Sequence, residues 1–287
     1  MINSINVLAA RSNPLQLKVR LLKKALIFSA FFYMQISVVF ASVCAPQHID
    51  ESVRVNYVYD GDTLQLEDGR KIRLIGIDTP EVFSRHKTIN RDIKTKGKQA
   101  RVALQKQLDR SDQRVSLAYG RQRFDRYNRT LAHVFLPDGK NLQAWLIEQG
   151  YGVAFTTPPN DTMSDCYKQQ EAQAINAKRG IWNMPRYQLI RTNQLNNNSE
   201  GFHRLQAKVT QARAYNNKIS LLLDDGVELN IYKKDLVNFN AYMLNNLANK
   251  NIQVRGWLHI KKAQNTQQNK ARFIMTLRHP DNIKVLH

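Results

Sequence analysis

Three carboxylates and a guanidinium lie close together in this chain: Asp62, Asp78, Glu81 and Arg73, all within the run Val55 to Glu81 (VNYVYDGDTLQLEDGRKIRLIGIDTPE). Carboxylates crowded into one patch repel unless a cation or a shared proton holds them. Their hard oxygen atoms suit Ca²⁺ or Mg²⁺ rather than zinc. Arg73 stands among Ile72, Leu74, Ile75 and Ile77, and a guanidinium there needs anionic company, because burying an unpaired charge is costly. Acidic groups that hold a cation and orient water, beside arginines that meet charge on phosphoryl oxygens, are the parts that phosphodiester hydrolysis requires.

The surrounding pattern says how these groups are positioned. Asp60-Gly61 and Asp68-Gly69 lie between alternating or apolar runs, which predicts three short strands joined by tight turns. Val82 to Thr95 reads as a polar loop that includes His86 and Lys87, and Lys96 to Asp109 has helical apolar spacing. Val115 to Ala118 and Leu131 to Leu136 read as two further strands, with His133 a structural residue of the second. Helices are expected at Leu142 to Gln149, closed by Gly150, and at Ser164 to Ala177. Five strands with three helices predict a mainly β, α+β domain, an OB-type barrel.

Three segments carry a resemblance. DGDT (Asp60 to Thr63), RLIGIDTPE (Arg73 to Glu81) and FDRYNR (Phe124 to Arg129) resemble, in order, the active-site segments of the staphylococcal nuclease (thermonuclease) family, over roughly Val53 to Pro185. The resemblance implies Ca²⁺-dependent cleavage of DNA and RNA. It also implies a cation held by Asp62, Asp78 and the carbonyl of Thr79, with Glu81 as general base. Arg73 and Arg129 would grip the phosphate and stabilise the charged transition state, while Tyr127, Arg126 and Phe155 are further candidates for substrate contact. Asn128 stands where the family usually has Gly, and Phe155 and Thr157 stand where family members can carry tyrosines. A catalytically silent nucleic-acid-binding protein of the same fold is the alternative.

Composition supports a polyanionic partner. The 287 residues carry a net charge of +20, which points to DNA and RNA as partners; no protein partner is implied and a monomer is expected. Residues 1–41 read as a signal peptide or amino-terminal anchor: Arg11, Lys18, Arg20, Lys23 and Lys24 precede the apolar stretch Ala25 to Phe40. Export, to the medium or the periplasm, follows from cleavage, and membrane attachment only from retention. Cys44 and Cys166 could pair in an oxidising compartment. The nuclease-like domain is expected over 51–185, a linker over 186–200 and a second, smaller OB-like domain over 201–287, with a helix at Lys233 to Ala248. That second domain holds nine Lys, five Arg and five acidic residues, so it is expected to bind nucleic acid. Tyr215, Tyr232 and Trp257 read as core fillers there, with base stacking as the other reading.

Overall fold

The Asp-Gly pairs do what their chemistry dictates. β1 (Glu51–Val58), β2 (Thr63–Leu66) and β3 (Lys71–Leu74) form an antiparallel meander, and Gly69 turns the second corner at φ +87°. β4 (Gly76–Asp78) follows, then β5 (Arg114–Phe124) and β6 (Thr130–Phe135). β6 lies parallel to β3, and β5 returns to β1, closing a five-stranded barrel in the order β1-β2-β3-β6-β5. Alternate residues such as Val55, Leu64, Ile72, Leu117 and Val134 fill its interior. In this computed structural model the described residues are 44–82, 91–240, 244, 246–261 and 272–286. The expected targeting segment and the loop residues His86 and Lys87 lie outside them. No described helix is long and apolar enough to cross a membrane.

Three helices pack around this barrel: α1 (Arg91–Asp109), α2 (Leu142–Glu148) and α3 (Ser164–Asn176). α1 begins five residues before its expected start. Its buried positions all lie at Gly97 and beyond, so its first turn carries no apolar period to read. Asn141 caps α2 by accepting a hydrogen bond from the Ala144 N–H at 2.9 Å.

The apolar run after Arg73, read as one strand, is two. Gly76 breaks it at φ +81°, and β4 leaves the barrel to pair with β7 (Val153–Phe155), with Asp78 opposite Val153. A Cβ at Gly76 would lie 2.4 Å from the Tyr167 ring, so only glycine fits.

The 186–200 stretch, read as a linker, contains β8 (Leu189–Arg191), which runs parallel to β9 (Gly201–Ala214). β10 (Lys218–Leu223), β11 (Val227–Tyr232), β12 (Asn251–Ile260) and β13 (Phe273–Thr276) complete a second five-stranded barrel with β9. β14 (Ile283–Val285) pairs with β12 outside the ring. The strand order repeats that of the first barrel, including one parallel pair, β11 with β13. The expected helix from Lys233 is only a 3₁₀ turn at Leu236–Asn238 in its first part. Val237, Asn238 and Asn240 are weak helix formers, and residues 241–243 and 245 lie outside the described set. Tyr215 is 50% exposed, so it is no core filler; Trp257 packs on Phe202, as expected of one.

Cys44 and Cys166 form a disulfide that ties the chain ahead of β1 to α3, across a sequence separation of 122. Reduction is expected to cost about 4 to 5 kcal/mol on the chain-entropy estimate. Denaturation midpoints with and without thiol measure it, and equal midpoints would contradict it.

His133 is buried and its Nδ1 meets the Tyr167 hydroxyl at 2.7 Å. Burial pulls its imidazole down to about 4. A base lowered on folding contributes stability that is full above its unfolded pKa, about 6.5, and is lost as pH falls toward 4. Stability is therefore expected to drop by about 3 kcal/mol across that window. Urea titrations of His133→Asn at about pH 7 and about pH 4 should show a flatter response, and an unchanged slope would refute the assignment.

Candidate active site

Barrel closure sets the positions of the acidic groups. Thr63 faces Arg73 across the β2–β3 pair, so Asp62, one residue earlier, lies beside the guanidinium. Arg73 Nη2 is 2.9 Å from Asp78 Oδ1 and 3.3 Å from Asp62 Oδ2. Its Nη1 donates to the carbonyls of Leu74 (2.7 Å) and Ile77 (2.9 Å). Arg73 thereby spans the break at Gly76 and fixes where β4, with Asp78, leaves the barrel. Asp62 is held from both sides. Its Oδ2 accepts from the Thr79 N–H (2.8 Å) and hydroxyl (3.0 Å), and its Oδ1 from the Thr63 hydroxyl (3.1 Å).

Arg129 arrives from the turn between β5 and β6. Asp125 Oδ1 accepts the N–H groups of Tyr127 and Arg129, each at 2.9 Å, and its Oδ2 accepts Arg129 Nε at 2.8 Å. Asn128 takes φ +58° in that turn, a left-handed position that Asn tolerates better than most residues. Arg129 Nη1 then reaches the Thr63 hydroxyl at 3.3 Å, one residue from Asp62. Arg126 and Tyr127 are exposed on the same turn, the guanidinium of Arg126 4.7 Å from the ring centre of Tyr127. Phe155 ends β7 and is half-buried.

The electrostatics follow from crowding. Burial, and then neighbouring acids, push Asp78 and Asp60 up to about 7, with Arg73 pulling the other way. Burial followed by Asp62 raises Glu81, against Arg73 and Arg129. Burial works against the charge of Arg73, and Asp62 and Asp78 outweigh it. The patch thus carries more acid than two arginines balance, and its donors are all oxygen. That fits a hard divalent cation. No three acidic, His or Cys side chains converge as a metal cluster among the described residues, so the protein's own share would be the two aspartates and a main-chain carbonyl.

The family described as Staphylococcal nuclease homologue matches residues 71–184. The chain is similar to a thermonuclease of Staphylococcus hyicus, 33% identical over 162 residues, covering 55% of this chain and 91% of the relative. A thermonuclease of Staphylococcus intermedius is 37% identical over 135 residues, 46% of this chain and 76% of the relative. Endonuclease YncB of Bacillus subtilis is 29% identical over 150 residues, 47% of this chain and 64% of the relative. This chain belongs to the staphylococcal nuclease family. The match to that family ends before the second barrel begins.

Supporting residues of this staphylococcal nuclease homologue escaped the sequence reading. Gly97 lets α1 pack on the active-site loop, since a Cβ there would lie 2.4 Å from the Pro80 carbonyl oxygen. A glycine inside a helix, which costs about 1 kcal/mol, was the available signal. The other group comes from far along the chain. Ala154 of β7 donates its N–H to Glu171 Oε1 (2.8 Å), and its carbonyl accepts Arg255 Nη2 (2.9 Å). Glu171, on α3, is in turn paired with Arg255 of β12. This buried pair occupies the outer edge of β7, whose inner edge holds β4 and Asp78. Lys168, one turn earlier on α3, meets Asp281 at 2.8 Å, and the rings of Trp182, Tyr187, Phe202 and Trp257 continue the contact. The second barrel is therefore built into the support of the Asp78 strand.

Removing one partner of a buried pair strands the other's charge, so Arg255→Ala is expected to destabilise the protein by about 3 to 5 kcal/mol. With Glu171→Gln added, the loss should be smaller than the sum of the two single changes. Simple additivity in denaturant titrations would show that the residues are not coupled.

Proposed function

We propose that this protein is an exported nuclease that hydrolyses phosphodiester bonds of DNA and RNA, uses one Ca²⁺ and has little sequence preference. The observation that carries the reading is the meeting of Asp62, Arg73, Asp78, Thr79 and Arg129 at one patch, with Glu81 exposed two residues beyond Thr79, in a chain whose family includes proteins named thermonuclease. Asp62, Asp78 and the Thr79 carbonyl would hold the cation, which supplies Lewis-acid stabilisation of phosphoryl charge when bound. Glu81 orients a water and takes its proton as general base. Arg73 and Arg129 give guanidinium donors to the phosphoryl oxygens as charge builds. Tyr127, Arg126 and Phe155 contact the bound strand. Phosphate-centred binding carries no sequence information, which supports broad substrate use. The disulfide and the basic-then-apolar amino-terminal segment support export.

The purified protein is expected to cleave both DNA and RNA with Ca²⁺ and to stop on chelation. Glu81→Gln and Arg129→Ala should each lower turnover by roughly 10²-fold or more, with substrate affinity changed only a few-fold. Intact substrates in a metal-by-substrate panel, or turnover indifferent to both substitutions, would favour the silent binding protein instead. Amino-terminal sequencing of protein recovered outside the cytoplasm tests export.

A further inference from the structure

The second barrel has a concavity of about 360 Å³ lined by Asn217, Tyr232, Lys233, Lys234, Asp235 and Arg278, among others. Its place in the topology is informative. It lies between the β9–β10 turn, the segment after β11 and the end of β13. Counting strands within each barrel, the first two of these correspond to the β1–β2 turn and the segment after β3, which in the first barrel carry Asp62 and Asp78. The same corner of the same fold thus bears acids in one barrel and cations in the other.

Among the described residues, the three cations at this concavity are free of the ion pairs that hold some of the barrel's other cations. Lys218 and Lys261 share Glu228, and Arg255 pairs with Glu171. Lys233, Lys234 and Arg278 have no carboxylate partner among the described residues. Asp235 is the one acidic residue at the concavity; it is buried. The site keeps a net positive charge. Tyr232 lines it and stands opposite Lys218 in the β10–β11 register; Tyr215, half-exposed on the turn that carries Asn217, has the Lys218 ammonium 5.5 Å from its ring centre. Cations that track phosphates near a half-exposed ring on which a base can stack are the parts of a single-strand site.

We infer that this concavity binds the phosphate backbone of a single-stranded polynucleotide, with Lys233, Lys234 and Arg278 on phosphates and Tyr215 stacking on a base. The site would hold a substrate strand away from the scissile bond, and in that role it rests on the nuclease reading above.

The test uses the full-length protein with Glu81→Gln and chelator present, and follows fluorescence anisotropy of a labelled single-stranded oligonucleotide across a salt series. Replacing Lys233, Lys234 and Arg278 together by Ala is expected to make the slope of log affinity against log salt shallower by about 2, at roughly 0.7 for each phosphate no longer neutralised. Tyr215→Ala should weaken binding roughly fivefold to a hundredfold with the slope unchanged. Unchanged slope and affinity in the triple variant, with an unchanged thermal midpoint, would overturn the inference. Displacement of the oligonucleotide by millimolar inorganic phosphate at constant ionic strength would reassign the concavity to a small anion and overturn it too. Cleavage of a dinucleotide, which occupies only one site, separates the two proposals. With Glu81 intact it should proceed equally in parent and triple variant. Failure to cleave any substrate sinks the nuclease reading, while the salt slope still reports on the concavity.

Discussion

Arg73 is a charged group in a place where a lone charge would not be tolerated, and the acids around it are in the same position. Its side chain is mostly withdrawn from water, with Asp78 and Asp62 on one nitrogen and the carbonyls of Leu74 and Ile77 on the other. Desolvation alone would drive either sign toward its neutral form. Arg73 keeps its charge because the acids beside it supply part of what its guanidinium gave up on leaving water. The arrangement is mechanical as well as electrostatic. The two carbonyls belong to opposite sides of the Gly76 break, so the arginine fixes the angle at which β4 departs.

Closure of the barrel makes that fixation possible. A pair such as Thr63 and Arg73 is set by strand register, and register slips move side chains to the wrong face. In the ring β1-β2-β3-β6-β5 every strand is hydrogen-bonded on both sides, and no edge is left along which it could slide. Asp62 gains a second constraint from the Thr79 N–H and hydroxyl, and Arg129 from Asp125. Residues that would hold a cation and those that would hold a phosphate are thus positioned before either arrives, the condition under which electrostatic stabilisation is most effective.

The parts legible in the sequence are those with a strong local signature. Asp-Gly turns gave the first three strands, because few other conformations suit those residues. The grouping of acids with Arg73 was visible because a charge inside an apolar run demands an explanation. β4 and β7 were not visible: three residues carry too little periodicity, and their pairing joins positions some 75 residues apart. The first turn of α1 was missed because its exposed polar residues leave no period, and the 3₁₀ turn at Leu236–Asn238 was misread because its weak helix formers did not outweigh the surrounding apolar spacing. Arg255 and Glu171 could not have been joined from sequence. Each is an ordinary charged residue until the fold buries both.

Two barrels of one topology carry different side chains at the same corner in this chain. The fold supplies the corner, where the turn between the first two strands meets the segment after the third; the residues placed there decide what it holds. In the first barrel that corner collects acids around a buried guanidinium. In the second it carries lysines and an arginine beside exposed tyrosine. The contact through Arg255 and Lys168 onto α3 adds a mechanical link to the electrostatic contrast. α3 and β7 take one set of hydrogen bonds from the second barrel and pass another to the strand of Asp78. The second barrel is therefore joined to the strand of Asp78 by a short, continuous run of paired and hydrogen-bonded groups.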